Sequence, residues 1–248
     1  MIEFKVFRFD PEKDRNHRFD RYQVPAEKGM TVLEGLWYIL DNLDGSLSFR
    51  SSCRAAVCGS CAMHISAGGG SVLGGNGKYR LACNTQIETF KSGTVVVQPL
   101  AHLPVLKDLV VDLTNFFKHY EEIKPYLIPS TAIPEKEFIQ LPTERKKIDG
   151  AIDCILCGAC YGSCPIAAGS QGYLGPHALL KAARFVYDSR DGASAERFAL
   201  IGHSTGLFRC HTVFNCQMVC PKNLDPSGTI AKLKMKAIWR KIRQLLPF

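Results

Sequence analysis

The chain opens with apolar and charged positions in alternation. Met1-Ile2-Glu3-Phe4-Lys5-Val6-Phe7 has a period close to two, the pattern of a half-buried strand. A second run of this kind lies at about 18–25, after the charged, proline-containing stretch Asp10–Asn16. Residues 2–9 and 18–25 therefore read as a hairpin. The period then changes. Thr31-Val32-Leu33-Glu34 has the form of a capping box, with Thr31 as N-cap and Glu34 reaching back to it. Leu33, Leu36, Trp37 and Leu40 follow at helical spacing and give out near Asp41–Gly45. Further strands are expected at about 61–66, 78–82 and 94–98. Strand, strand, helix and more strands predict a small β-grasp domain with one helix across its sheet. The glycine-rich run Gly68–Gly77 lacks the Gly-Lys-Ser/Thr ending of a phosphate loop, because Lys78 is followed by Tyr79. It reads as a hairpin tip.

From Leu100 onward the strand pattern is gone. Asp108–Tyr120 places Leu109, Val110, Leu113, Phe116 and Phe117 at helical spacing, and Lys124–Pro142 holds Pro125, Pro129, Pro134 and Pro142. The first reads as a helix (107–123) and the second as an extended connector. Helices are expected from Pro176 to about Tyr187, over Ala193–Ile201, and after the Asp225-Pro226 cap. The fold class is thus α+β. Residues 1–106 form the β-grasp domain, and residues 107–248 form an all-α domain.

Composition narrows the function. The chain has 248 residues, is 46% hydrophobic and carries a formal charge of +8, so real cores are within reach. The last 18 residues, from Ala231, hold six of the basic residues (Lys232, Lys234, Lys236, Arg240, Lys241, Arg243) and no acidic one. Ile230, Leu233, Ala237, Ile238, Ile242 and Leu245 form an apolar stripe beside them. Two readings fit: a core-packing helix with a solvated basic face, or a helix lying near anionic lipid or an acidic partner. Nucleic-acid binding is not expected, since no recognised fold or aromatic platform accompanies the charge. No apolar run reaches the roughly 20 residues of a membrane-spanning helix, and the N-terminus enters a strand without a signal peptide. No Rossmann fingerprint, His-Glu-x-x-His or nucleophile elbow is present. The chain shows no substrate chemistry of its own.

Its chemistry lies in eleven cysteines. They fall in cluster spacings and not in scattered pairs, which favours a reducing compartment. Cys53-x4-Cys58-x2-Cys61 with a distant Cys83 is the plant-type 2Fe–2S pattern. Four thiolates also suit zinc, but structural zinc uses two close cysteine pairs, which the Cys53–Cys58 gap does not provide. Gly59 lets the loop backbone come close to the cluster sulfides. Cys154, Cys157, Cys160 and Cys164-Pro165 form the bacterial ferredoxin run, in which the fourth cysteine serves a neighbouring cluster. A second run, Cys210–Pro221, repeats the frame with Cys210, Cys216 and Cys220 but places Val213 at the middle cysteine. Exchange of fourth ligands gives Cys154, Cys157, Cys160 and Cys220 to a 4Fe–4S cluster. It leaves Cys164, Cys210 and Cys216 for a second centre. Three thiolates hold a cubane lacking one iron, so the second centre is expected to be 3Fe–4S. The alternative is a 4Fe–4S cluster with a non-cysteine fourth ligand, which Val213 cannot supply and for which His211 sits at the wrong place in the frame. The whole is a wire for single electrons.

These motifs, together with Cys53–Cys61, Asp188-Ser189-Arg190-Asp191 and Phe208–Pro221, resemble the iron–sulfur subunit of succinate dehydrogenase and fumarate reductase, the respiratory complex II family. The resemblance covers essentially the whole chain. It implies a flavoprotein partner with covalent FAD that interconverts succinate and fumarate, and a cytochrome b-type membrane anchor, often with haem b, where quinone binds. The lack of a transit peptide suggests a bacterial protein, peripheral at the cytoplasmic face of the inner membrane. Pro165 and His211 match positions on the family's quinone side; for His211, tuning of the cluster fits equally well. The chain departs from the family where many members carry a tryptophan pair after the Cys-Pro. Here the segment is Ile166–Gln171, which suggests another type of anchor. The direction of electron flow is left open. The competing readings are a free polyferredoxin carrier and the iron–sulfur subunit of another flavoprotein complex.

Overall fold

The computed structural model describes residues 1–68, 78–170 and 172–246; most of the glycine-rich hairpin tip, Gly69–Gly77, lies outside them. In chain order the strands are β1 (Ile2–Arg8), β2 (Arg18–Val24), β3 (Ala62–Ala67), β4 (Lys78–Leu81), β5 (Thr94–Gln98), β6 (Val105–Lys107) and β7 (Val110–Val111). The helices are α1 (Val32–Asn42), α2 (Thr114–Glu122), α3 (Pro142–Arg145), α4 (Asp149–Ile152), α5 (Ala159–Gly162), α6 (Pro165–Gly169), α7 (Gly175–Val186), α8 (Ser194–Ile201), α9 (Asn215–Met218) and α10 (Pro226–Leu245). They form two compact units: Met1–Leu113 with Ile155–Ser163, and Thr114–Cys154 with Cys164–Phe248.

The first unit is a five-stranded sheet in the order β2-β1-β5-β3-β4, with β1 and β5 parallel and the other neighbours antiparallel. Alternation in β1 does what its period requires: Ile2, Phe4 and Val6 are buried and the residues between them are half-exposed. Helix α1 starts at the expected capping box, since Thr31 Oγ1 accepts from the Glu34 N–H at 3.3 Å and the Glu34 carboxylate accepts from the Thr31 N–H at 2.7 Å. It buries Val32, Leu33, Leu36 and Ile39. Gly35 sits directly against the Phe4 ring, leaving no room for a Cβ.

The helix expected over 107–123 begins only at Thr114. Asp108 has a left-handed backbone (φ 47°) and is buried. Its carboxylate accepts from Arg8 Nε at 3.0 Å and from the Phe9 and Ser48 N–H groups. The fully paired Arg8 also donates to Tyr22, Asp44 and Ser46. A buried guanidinium needs such partners. This network draws 105–111 into a two-stranded ribbon, which helical periodicity alone does not reveal.

In the second unit α7 is the central helix, with α2, α4, α8 and α10 packed on it. Tyr173, Leu174, Leu179, Phe198, Ile201, Leu207, Ile230 and Leu233 belong to its core. The connector is tied down at both ends. Buried Arg197 donates to the Asp191 carboxylate and to the carbonyls of Ile123, Lys124 and Tyr126. Asp188 takes Arg184, Arg190 and Gln140. The apolar stripe expected along α10 splits in two. Ile230, Leu233 and Ala237 are buried in the core, while Ile238, Ile242 and Leu245 are exposed.

Candidate metal centres

The plant-type loop of the first unit is built around one sulfur. Arg54 and Ala56, both with φ 55°, are left-handed. The backbone thereby turns the N–H groups of Ala55, Val57 and Cys58 onto Cys53 Sγ, at 3.4, 3.4 and 3.2 Å. The Cys53 N–H lies 3.5 Å from Cys58 Sγ. Inward-facing amides of this kind hold an anion. Their price in backbone strain, three donors to one thiol, fits a thiolate of an iron–sulfur cluster. The Cys58 thiol is drawn down to about 6 by hydrogen bonds from the Ser60 side chain and then from Cys53. Cys61, at the end of the loop, is pushed up to about 12 by burial and then by its neighbour Cys83. Those two residues are brought together by β3 and the turn at Ala82–Asn84, where the Ala82 N–H donates to the Cys61 carbonyl at 3.0 Å.

Gly59 also has a packing role. Its φ is 76°, and a Cβ there would lie 2.9 Å from Cys157 Cα and from the Ile155 carbonyl. The plant-type loop thus packs backbone to backbone against the first bacterial-type run, whose segment Ile155–Ser163 belongs to the same unit.

The two bacterial-type runs share a backbone frame. In the first, Leu156 (φ 52°) and Gly158 (φ 80°) are left-handed and lead into α5. In the second, Thr212 (φ 57°) and Phe214 (φ 66°) are left-handed and lead into α9. Superposing these signs sets Cys154 on Cys210, Cys160 on Cys216 and Cys157 on Val213. A non-glycine residue in this region is uncommon, so its recurrence at matched positions marks a repeat of geometry. It supports the alignment of Val213 with a cysteine.

Of the cysteines expected around 4Fe–4S, Cys157 and Cys160 lie in the first unit and Cys154 and Cys220 in the second. Cys154 and Cys220 both pack against Ala151, Leu180 and Leu224. Among the described residues no three His, Cys, Asp or Glu side chains close on the point a single ion would occupy, and no disulfide forms.

The three cysteines left over come together within the second unit. Cys164, Cys210 and Cys216 line a recess of about 340 Å³, open solvent included, with Pro165, Tyr173, His211 and Val213 among the other walls. Burial pushes the Cys216 thiol up to about 11, and the thiols of Cys164 and Cys210 add to the effect. Cys164 is raised by burial too. Such thiols stay protonated unless a metal replaces the proton. Tyr173 is 1% exposed, and its hydroxyl lies beside the Cys210 sulfur without meeting hydrogen-bond geometry to any protein group. Burial first, then the thiols of Cys210 and Cys164, hold that hydroxyl protonated. A buried donor without a protein partner costs about 1–3 kcal/mol. Aimed among three thiols, it fits the sulfide of a cluster with that ligand set. Nothing in the sequence around Tyr173 marks it for this role. Pro165, His211 and Val213 are exposed at the rim.

Comparison with known proteins shows the family. Residues 3–118 match the 2Fe-2S iron-sulfur cluster binding domain and residues 150–224 the 4Fe-4S dicluster domain. The chain is 43% identical to the succinate dehydrogenase iron-sulfur subunit of Paracoccus denitrificans over 93% of its length and 86% of the relative's. It is 40% identical to the mitochondrial succinate dehydrogenase [ubiquinone] iron-sulfur subunit of Dictyostelium discoideum, over 94% and 82%. Among solved structures, a chain of the Mycobacterium smegmatis Sdh1 complex in the apo form superposes with a TM-score of 0.83, covering 97% of both chains at 23% identity.

Proposed function

The chain belongs to the succinate dehydrogenase iron–sulfur subunit family, and we propose that it carries electrons between the FAD of a flavoprotein subunit and quinone at a membrane anchor. When bound, 2Fe–2S, 4Fe–4S and 3Fe–4S clusters each supply a one-electron couple. The residues of this chain supply the rest. Cys53, Cys58, Cys61 and Cys83 would hold the 2Fe–2S, and Cys154, Cys157, Cys160 and Cys220 the 4Fe–4S. Cys164, Cys210 and Cys216 would hold the 3Fe–4S. The amides of Ala55, Val57 and Cys58 face Cys53 Sγ and would stabilise the negative charge of a reduced cluster held there. Gly59 keeps the plant-type loop in contact with the Cys157 segment, which would leave a short protein gap between the centres the two segments hold.

One observation carries the reading: the exposed recess ringed by three cysteines, where a repeat of the backbone frame substitutes Val213 for a ligand. A terminal centre open to the surface suits exchange with a diffusing two-electron carrier. Pro165 and His211 on its rim are the residues we assign to the quinone side. No helix among the described residues is long and apolar enough to cross a membrane. Membership of the family gives the subunit a peripheral place on a membrane complex, and its face would be the cytoplasmic one of a bacterial inner membrane. The test is the assembled complex with Cys216→Ser. Succinate should still reduce an artificial dye at the flavin, while succinate-driven quinone reduction falls to background. Full quinone reduction in that variant would refute the proposed path. Running the complex with quinol and fumarate measures the reverse direction.

A further inference from the structure

Helix α10 carries two apolar faces, and among the described residues only one of them is buried in a core. Ile230, Leu233 and Ala237 are buried in the second unit's core. Met235, Ile238, Trp239, Ile242, Leu245 and Leu246 are 38–78% exposed. At 3.6 residues per turn the five within the helix fall within about 120° of its circumference, and Leu246 caps its end. Their stripe is separate from the core face. Basic residues border it on both sides: Lys234 and Lys241 along one edge, Lys232, Arg243 and Lys236 along the other. No acidic residue interrupts the sequence from Ala231 to the end.

Several of these cations have anchoring contacts. Lys234 Nζ donates to the Cys210 carbonyl at 2.6 Å, Lys236 Nζ to the Val186 carbonyl at 3.2 Å, and Lys241 stands over the Phe208 ring. These contacts fix the helix beside the loop that carries Cys210. An apolar stripe with a cationic border on each side, and a tryptophan within it, is the arrangement of a helix lying in a lipid interface. A protein groove would need acidic residues on two opposite rims at once to match it. An anionic bilayer meets both borders with no such coincidence.

We propose that α10 rests on anionic phospholipid through Met235, Ile238, Trp239, Ile242, Leu245 and Leu246, with headgroups neutralised by Lys232, Arg243 and Lys241. The subunit then contacts the membrane directly, in addition to any contact made for it by an anchor protein.

The test uses the full chain with its clusters assembled, floated with vesicles of phosphatidylcholine alone or mixed with phosphatidylglycerol. Cluster absorbance in the same samples separates failure of lipid binding from failure of the iron–sulfur reading. Binding is expected with the anionic vesicles only, weakening as salt shortens the screening length. Lys232→Ser with Arg243→Ser should reduce it roughly 25-fold, at about fivefold per cation. Trp239→Ser with Ile242→Ser, both at exposed positions, should reduce it while leaving the cluster spectrum unchanged. Trp37 and Trp239 are the tryptophans of the chain, so a Trp37→Phe background lets Trp239 report entry into lipid by a blue shift. No flotation with anionic vesicles, or flotation indifferent to both double variants, overturns the proposal. So does shielding of Trp239 from a water-soluble quencher in delipidated complex, which would assign the stripe to another subunit.

Discussion

Tyr173→Phe removes a single oxygen from a site where no protein group claims it. The ring is 1% exposed and belongs to the core that holds α7, α8 and α10 together. Phenylalanine keeps that volume. In the holoprotein the hydroxyl is expected to donate to a sulfur of the 3Fe–4S centre, beside Cys210. The reduced centre carries more negative charge, so the donor stabilises it more than the oxidised form and raises the potential. If the difference between the two states is about 0.5–1.5 kcal/mol, the range of one net hydrogen bond, the one-electron conversion of 59 mV per tenfold gives a fall of roughly 20–65 mV in the variant. The assay is a redox titration of the 3Fe–4S signal by low-temperature EPR on the assembled complex, with the 2Fe–2S potential as internal control. Thermal stability supplies an independent sign. A hydroxyl that bonds nothing is a burden, and its removal would raise Tm; a hydroxyl that bonds the cluster is missed, and Tm falls. A 3Fe–4S potential within ~10 mV of the parent, together with a raised Tm, would refute the assignment.

Further variants probe the frame around that site. Val213→Cys places a thiol at the position matched to Cys157, on a residue 48% exposed; it should convert 3Fe–4S to 4Fe–4S, seen as loss of the oxidised-state EPR signal, with a lower potential and slower quinone reduction. Gly59→Ala meets both a left-handed backbone and a Cβ contact of 2.9 Å with the Cys157 backbone. It should cost about 1–3 kcal/mol and slow electron transfer beyond the 2Fe–2S, and an unchanged Tm would count against the packing described. Asp44 is raised by burial, but hydrogen bonds from Ser46, Arg8 and Tyr22 outweigh this and hold its carboxyl well below the usual carboxylate range. A depressed carboxylate contributes stability above its unfolded value of about 3.9, lost as pH falls below it. Asp44→Asn should therefore lower stability at neutral pH and flatten the acid limb below about pH 4, measured by circular dichroism.

The parts legible in the sequence were those set by local rules. Alternation placed β1 and β2, and Thr31 with Glu34 placed the start of α1, because strand period and helix capping act within a few residues. Cysteine spacing marked three groups for the same reason: a short loop must wrap a cluster of fixed size. What escaped depended on distant partners. Asp108 turns left-handed to meet Arg8, a hundred residues away, and so displaces the helix that the spacing of Leu109, Val110 and Leu113 predicts. The sequence of α10 shows one stripe because periodicity does not distinguish a face that meets α7 from one left exposed. Tyr173 has no motif at all; only burial beside Cys210 singles it out. The loop motif points to Gly59, but not to its contact with the Cys157 backbone, which spacing alone does not show.

The measurement closest to the central claim is EPR of the assembled complex, oxidised and then reduced with dithionite. An oxidised 3Fe–4S centre has an odd electron and is paramagnetic, whereas oxidised 2Fe–2S and 4Fe–4S clusters are spin-paired and silent. A sharp signal in the oxidised protein, close to one spin per chain and lost on reduction as the 2Fe–2S signal grows in, is the predicted result. An oxidised protein that is EPR-silent while chemical analysis finds equal iron and sulfide would contradict it. Three complete clusters would then be present, and Val213 would not leave an iron site empty.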